Sequence, residues 1–108
     1  MSKYSELPIY NSVFFVLKDL YVRVPKFSKQ YKYLLGGKML DCCVDTILLI
    51  TKISKVKDNK QRLIYVAKIS DNIFNLLTYT RIANELELLG DKNGYFFLAE
   101  KIYDIWFE

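Results

Sequence analysis

Apolar residues recur at spacings of three and four along most of the chain, which is the period of a helix with one buried face. Polar residues, glycines and prolines separate the periodic stretches. Pro8 suits the first turn of the first helix, and Pro25 ends that helix because proline lacks the N–H that a helix interior needs. The pattern predicts four helices, over residues 7–24, 34–56, 60–89 and 95–107.

Side chains suited to helix ends support these boundaries. Asp58 or Asn59 is expected to cap the third helix, because an Asp or Asn oxygen accepts a hydrogen bond from a free N–H group of the first turn. Gly90 is expected to end that helix, and Asp91 to cap the fourth. Short links make neighbouring helices antiparallel, so we predict an all-α, up-down-up-down four-helix bundle that forms one domain over residues 1–108.

The second and third helices each carry an apolar stripe that should face the core. The Gly36-Gly37 pair is expected to weaken the start of the second helix by about 1 kcal/mol per glycine. The stripe of the second helix comprises Leu35, Met39, Cys42, Leu49, Ile50 and Ile53. The stripe of the third helix comprises Leu63, Val66, Ile69, Ile73, Leu76, Leu77, Thr80 and Ala83.

The residue types present leave little chemistry for catalysis. The chain has no histidine, which excludes Ser-His and Cys-His nucleophile pairs and imidazole metal ligands. Glu85 and Glu87 are two positions apart, so they point in different directions on a helix. Gly36-Gly37 lacks the spacing and the preceding strand of a phosphate-binding loop. We therefore expect a protein that is not an enzyme and has no cofactor, metal site or small-molecule substrate.

The cysteines and the apolar runs indicate a reducing, aqueous compartment. Cys42 and Cys43 are adjacent, which strains any disulfide between them, and we expect reduced thiols with at least one in the core. No apolar run approaches the roughly 20 residues of a membrane span. Residues 1–8 lack the apolar segment and cleavage site of a signal peptide. The expected location is the cytoplasm, without membrane association.

Charge is distributed unevenly along the chain. Residues 1–68 hold 13 Lys or Arg and 5 Asp or Glu, whereas residues 69–108 hold 3 and 7. The first basic cluster comprises Arg23, Lys26, Lys29, Lys32 and Lys38, and the second comprises Lys52, Lys55, Lys57, Lys60 and Arg62. In an up-down bundle these clusters lie at opposite ends, so oligomerisation would be needed to gather them into a ring that attracts polyanions. The alternative is that the lysines only keep the connections solvated.

The chain has more large apolar side chains than one buried stripe can hold. Some of them should belong to a wide core, and the others should lie in a homo-oligomer interface or against a protein partner. The side chains concerned are Phe14, Phe15, Tyr21, Leu48, Tyr65, Phe74, Phe96, Phe97 and Phe107.

Four segments resemble a known family. They are Val24-Pro25-Lys26, the stretch YKYLLGGK at residues 31–38, the stretch YTRIA at residues 79–83 and the stretch IYDIW at residues 102–106. Together they are similar to the four-helix bundle family of the accessory variability determinant of diversity-generating retroelements, which includes the protein encoded by intervening sequences in bacterial ribosomal RNA. The resemblance implies a homopentameric barrel that binds nucleic acid and a reverse transcriptase during mutagenic retrohoming.

The resemblance and the charge clusters together select candidate nucleic-acid contacts. Arg81 has a rival role, because it could instead form an ion pair with Asp45 or Glu85. The function expected as an alternative is a structural homo-oligomer or protein-interaction adaptor without a nucleic-acid role. The candidate contacts are Arg23, Lys26, Lys29, Lys32, Lys38, Lys52, Lys55 and Arg81.

Overall fold

Four long helices make up most of the computed structural model, which describes residues 7–90 and 92–106. The helices are α1 (Pro8–Arg23), α2 (Gly37–Ile53), α3 (Asn59–Glu85) and α4 (Lys92–Trp106). A 3₁₀ turn, Val24–Lys26, follows α1. Two further helical turns, Lys29–Tyr31 and the π-helical Lys32–Gly36, lead directly into α2, and we call residues 29–36 the lead-in. The described residues contain no strand, which confirms the all-helical prediction.

The helices pack as a closed ring in which α1 contacts α2 and α4, and α3 contacts α2 and α4. Leu7 and Ile9, at the start of α1, line the same cavity as Ile53 at the end of α2. Val24, just after α1, lies against Gly36, just before α2. Helices α1 and α2 therefore run in opposite directions, as a short connection between neighbours favours.

Proline sets both ends of α1. Pro8 occupies the first turn, where a missing N–H costs no hydrogen bond. The α-helix ends at Arg23, and Pro25 lies in the 3₁₀ turn that follows. The Phe27 N–H donates to the carbonyl of Val24 at 2.9 Å, and the Phe27 side chain is buried. The predicted extent of this helix is confirmed.

The approach to α2 differs from the prediction. The basic connection is helical from Lys29 onwards, and α2 ends at Ile53 instead of Val56. The Ser54 hydroxyl donates to the carbonyl of Thr51 at 2.7 Å, which satisfies a backbone group that the helix end leaves free. The absent side chain at Gly36 allows the close approach of Val24, so this glycine has a packing role that outweighs its poor helix propensity.

Helix α3 begins as predicted and ends earlier than predicted. Asp58 is the N-cap, because its carboxylate accepts from the Lys60 N–H at 3.2 Å. The helix stops at Glu85 because Glu87 adopts a left-handed φ of 61°. The Leu88 N–H then donates to the carbonyl of Ala83 at 2.9 Å, which is the hydrogen bond of a Schellman cap.

The prediction that Gly90 ends α3 is therefore wrong. Gly90 also has a positive φ, 78°, but it lies within the link to α4. Helix α4 begins at Lys92, earlier than Tyr95. The predicted cap Asp91 and the aromatic residue Phe107 lie outside the described residues.

The core lies along the axis of the ring, and all four helices contribute to it. Among the described residues two threonine hydroxyls are buried there, and both are satisfied: Thr46 donates to the carbonyl of Cys42 at 2.7 Å and Thr80 to that of Leu76 at 2.8 Å. The largest fully buried side chains are Leu20, Met39, Leu98, Ile102, Ile105, Val13, Val16, Thr80 and Cys43.

The first turns of α3 do not share in this core. Leu63 is 68% exposed and Val66 is 49% exposed, so their predicted core positions are wrong. No residue of the segment 59–68 is buried. The stripe becomes buried from Ile69 onwards.

None of the described helices combines the length and the apolar character that crossing a membrane requires.

Candidate nucleic-acid interface

The first basic cluster surrounds the connection between α1 and α2. Lys26, Lys29 and Lys38 are exposed, and Lys32 is half-buried. None of these four lysines forms an ion pair with a carboxylate in residues 7–90 or 92–106. Their ammonium groups therefore add positive potential to this end of the bundle.

Arg23 differs from the other members of that cluster. Its Nε donates to Asp19 Oδ2 at 2.6 Å, one helical turn earlier on α1. Its guanidinium also lies over the Phe97 ring of α4, 5.9 Å from the centroid. Arg23 is half-buried, so it joins α1 to α4 while its charge is matched by a carboxylate.

The second basic cluster lies at the other end of α2. Lys52 is in the last turn of α2, Lys55 and Lys57 are in the link, and Lys60 and Arg62 are in the first turns of α3. All five side chains are exposed. A rise of 1.5 Å per residue places Lys52 about 20 Å from Lys38 along the helix axis. On one copy of the chain the two clusters therefore belong to opposite ends.

Arg81 is exposed on α3 and faces α4. Its Nη2 donates to the hydroxyl of Tyr103 at 3.4 Å. Hydrogen bonding to Tyr95 and the proximity of Tyr103 raise the pKa of the guanidinium. Arg81 forms no ion pair within the described part of the chain, so the alternative role in which it pairs with Asp45 or Glu85 is not found. Its charge is available at the surface.

The prediction of surplus apolar side chains holds for most of the residues concerned. Phe14 and Tyr65 are half-buried, and Phe107 lies outside the described residues. The exposed members are Phe15, Tyr21, Leu48, Phe74, Phe96 and Phe97.

Some of these rings lie beside cations and form a surface with them. This surface was not predicted from the sequence. The rings of Phe15 on α1 and Phe97 on α4 lie 6.1 Å apart. Lys101 Nζ lies over both, 5.6 Å from the Phe15 centroid and 5.7 Å from that of Phe97. Lys18 Nζ lies 5.1 Å from the centroid of Phe14. We call Phe14, Phe15, Lys18, Phe97 and Lys101 the aromatic face.

A sequence signal does exist for two of the contacts in the aromatic face. Phe14 and Lys18 are four residues apart, as are Phe97 and Lys101, and this spacing places two side chains next to each other on a helix. The contact between Phe15 and Phe97 depends on how α1 packs against α4, and no local spacing indicates it.

The cysteines have no role in the interface. Both are free and buried in α2. Burial raises the pKa of the Cys43 thiol to about 12. Burial, with a contribution from Asp45, raises the pKa of Cys42 to about 11. The thiolate is the reactive form, so neither side chain is a nucleophile near neutral pH.

Comparison of the chain with protein-family models, with curated proteins and with solved structures finds no match.

Proposed function

We propose that this chain is a non-catalytic, nucleic-acid-binding accessory protein that partners a reverse transcriptase in a diversity-generating retroelement. The observation that carries the nucleic-acid part is the first basic cluster, whose lysines are unpaired among the described residues. The reverse-transcriptase part rests on the resemblance of residues 24–26, 31–38, 79–83 and 102–106 to that family.

The arrangement of the first basic cluster suits a phosphate backbone. Lys26 and Lys29 belong to consecutive short turns, and Lys38 follows in the first turn of α2. Each lysine that neutralises a phosphate releases condensed counterions, so binding falls as salt rises. The contacts proposed are those with available charge: Lys26, Lys29, Lys32, Lys38, Lys52, Lys55 and Arg81. Arg23 serves mainly to position α1 against α4, because Asp19 matches its charge.

The proposed assembly is a homopentamer of up-down-up-down bundles in the cytoplasm. A ring of copies would place five first clusters around one axis, which multiplies the potential at that end. The exposed apolar residues of α3, among them Leu63, Ile64 and Phe74, supply surface that contacts between copies could bury.

The test is light scattering coupled to size exclusion, with and without a structured RNA, at low and at moderate salt. We expect a mass near that of a pentamer and RNA co-elution that weakens as salt rises. A monomer that ignores RNA at low salt would contradict the proposal.

A matched pair of variants locates the RNA contact. Lys26→Glu with Lys29→Glu should weaken RNA binding and lower the salt slope by about one for each phosphate that the protein then leaves unneutralised. Lys57→Glu with Lys60→Glu makes the same change of charge at the opposite end and should have the smaller effect. Equal weakening in both double variants would mean that the first basic cluster has no larger share in binding than the second, and would contradict its leading role.

A structural homo-oligomer or protein-interaction adaptor is the second candidate. The observation in its favour is the start of α3, where Leu63, Ile64 and Val66 are exposed on turns that contribute nothing buried to the core. Under this alternative the lysines are solvating side chains. A stable oligomer that binds no RNA, in either salt, would favour it.

A further inference from the structure

We propose that the aromatic face stacks unpaired bases of single-stranded nucleic acid. This inference rests on the proposed nucleic-acid function and adds to it a site on α1 and α4, away from the lysine-rich connections. Phe15 is 49% exposed and Phe97 is 38% exposed, so a planar ligand that displaces the Lys101 ammonium can reach both rings. Aromatic side chains next to cations are the combination that single-strand binding proteins use.

The positions of the cations favour a polyanion over a protein as the occupant. Lys101 lies over two exposed rings, and Lys18 lies over a third. Lysine is depleted in protein interfaces, because the ammonium must lose its water there. A strand of nucleic acid instead offers each lysine a phosphate and each ring a base. The flexible Lys101 side chain can leave the rings for a phosphate as bases take its place.

A groove beside the rings extends the same chemistry along α1. It has a volume of about 340 Å³ and is lined by Tyr10, Asn11, Phe14, Phe15 and Lys18. The side-chain amide of an asparagine can both donate to and accept from a base edge. The groove therefore offers ring faces, an amide and a cation within two turns of one helix.

The acidic side chains nearby leave these cations available. Asp19 is engaged by Arg23 at 2.6 Å. Glu100 and Asp104 are exposed on α4, and neither forms an ion pair with Lys101. Duplexes keep their bases stacked inside, so the aromatic face should distinguish single strands from duplexes.

The experiment is fluorescence anisotropy with a short labelled single-stranded RNA and with a duplex of the same sequence. Phe15→Leu and Phe97→Leu should each weaken single-strand binding about tenfold and leave duplex binding unchanged. The matched control is Phe96→Leu. Phe96 is 61% exposed and adjacent to Phe97, but none of the described side chains places a cation over its ring and it is not part of the aromatic face, so this variant should bind as the unmodified chain does.

The outcomes separate this inference from the proposed function. If the unmodified chain binds single strands and the three Phe variants bind equally well, the aromatic face is not a site, while the lysine contacts stand. If the unmodified chain binds no nucleic acid at low salt, both ideas fail. If Phe15→Leu and Phe97→Leu change the mass measured by light scattering and not RNA affinity, the face is a protein contact and the inference is overturned.

Discussion

Two adjacent glycines at the junction of the lead-in and α2 have opposite surroundings. A Cβ on Gly36 would lie 2.5 Å from Val24 Cγ1, whereas a Cβ on Gly37 would meet nothing within 4 Å. Both residues have helical backbone angles. From sequence the two glycines are equivalent, and each is expected to weaken the helix. Only the contact between Val24 and Gly36 distinguishes them, and this contact depends on the folded structure.

We expect alanine to have opposite effects at these two positions. Gly36→Ala should lower the free energy of unfolding by about 1–3 kcal/mol, because Val24 must move. Gly37→Ala should raise it by about 0.5–1 kcal/mol, because alanine restricts the unfolded chain and fits the helix. Urea unfolding followed by circular dichroism measures both. A stabilised Gly36→Ala variant would show that Val24 does not pack as described.

The buried thiols predict how stability depends on pH. Folding raises the pKa of Cys43 from 9.0 to about 12. Above about pH 9 the unfolded thiol loses its proton while the folded thiol keeps it, so the unfolded state is favoured as pH rises. Below that pH both states are protonated, and the thiol adds no pH dependence.

We expect the unmodified chain to lose stability more steeply than Cys43→Ala between about pH 9 and pH 11. The difference in slope should approach about 1.4 kcal/mol per pH unit. Guanidinium unfolding across this range tests it. Cys42, whose pKa is also raised, is present in both proteins, so its contribution cancels to first order in the comparison. Parallel slopes would mean that Cys43 ionises as easily in the folded chain as in the unfolded one.

At the scale of elements, the existence of each helix could be predicted, but not every end. The start of α3 could be predicted from the sequence because the Asp58 side chain itself caps the helix. Its end is set by the left-handed backbone of Glu87, a residue type that seldom adopts this conformation. The apolar spacing continues through Leu88 and Leu89, so the sequence pattern predicts a helix that runs past the cap.

Glycine in place of Glu87 should stabilise the C-terminal end of α3. Glu87→Gly should raise the free energy of unfolding by about 1 kcal/mol, since glycine has no Cβ to oppose a φ of 61°. Glu85→Gly removes the same charge from the last helical residue and should lower stability by up to about 1 kcal/mol. Thermal unfolding of the two variants compares them directly. If both variants change the stability in the same direction, the proposed role of Glu87 in the cap is wrong.

At the scale of the whole molecule, the closed ring of helices determines which side chains meet. Sequence reasoning placed the two lysine clusters at opposite ends, because that follows from the order of the helices alone. The spacing of four residues between Asp19 and Arg23 on α1 does indicate their ion pair, but the sequence could not show that Arg23 would also lie over Phe97 or that Arg81 would turn to Tyr103. Those choices depend on rotamers and on the rotation of α4 about its axis. The contact between Phe15 and Phe97 in the aromatic face was missed for the same reason.

The π-helical turn Lys32–Gly36 sets the rotation of the lead-in about the helix axis relative to α2. A π turn holds about one residue more than an α turn, so the chain on its two sides differs in phase by about 100°. Removal of a single residue here would restore ordinary winding, and the core positions of α2 would keep their register. The lysines before the turn would then point in a different direction around the helix axis. An insertion or deletion at this point would thus re-aim the basic end, at the cost of repacking the buried Leu35 and the contact of Gly36 with Val24, while the core of α2 itself is kept.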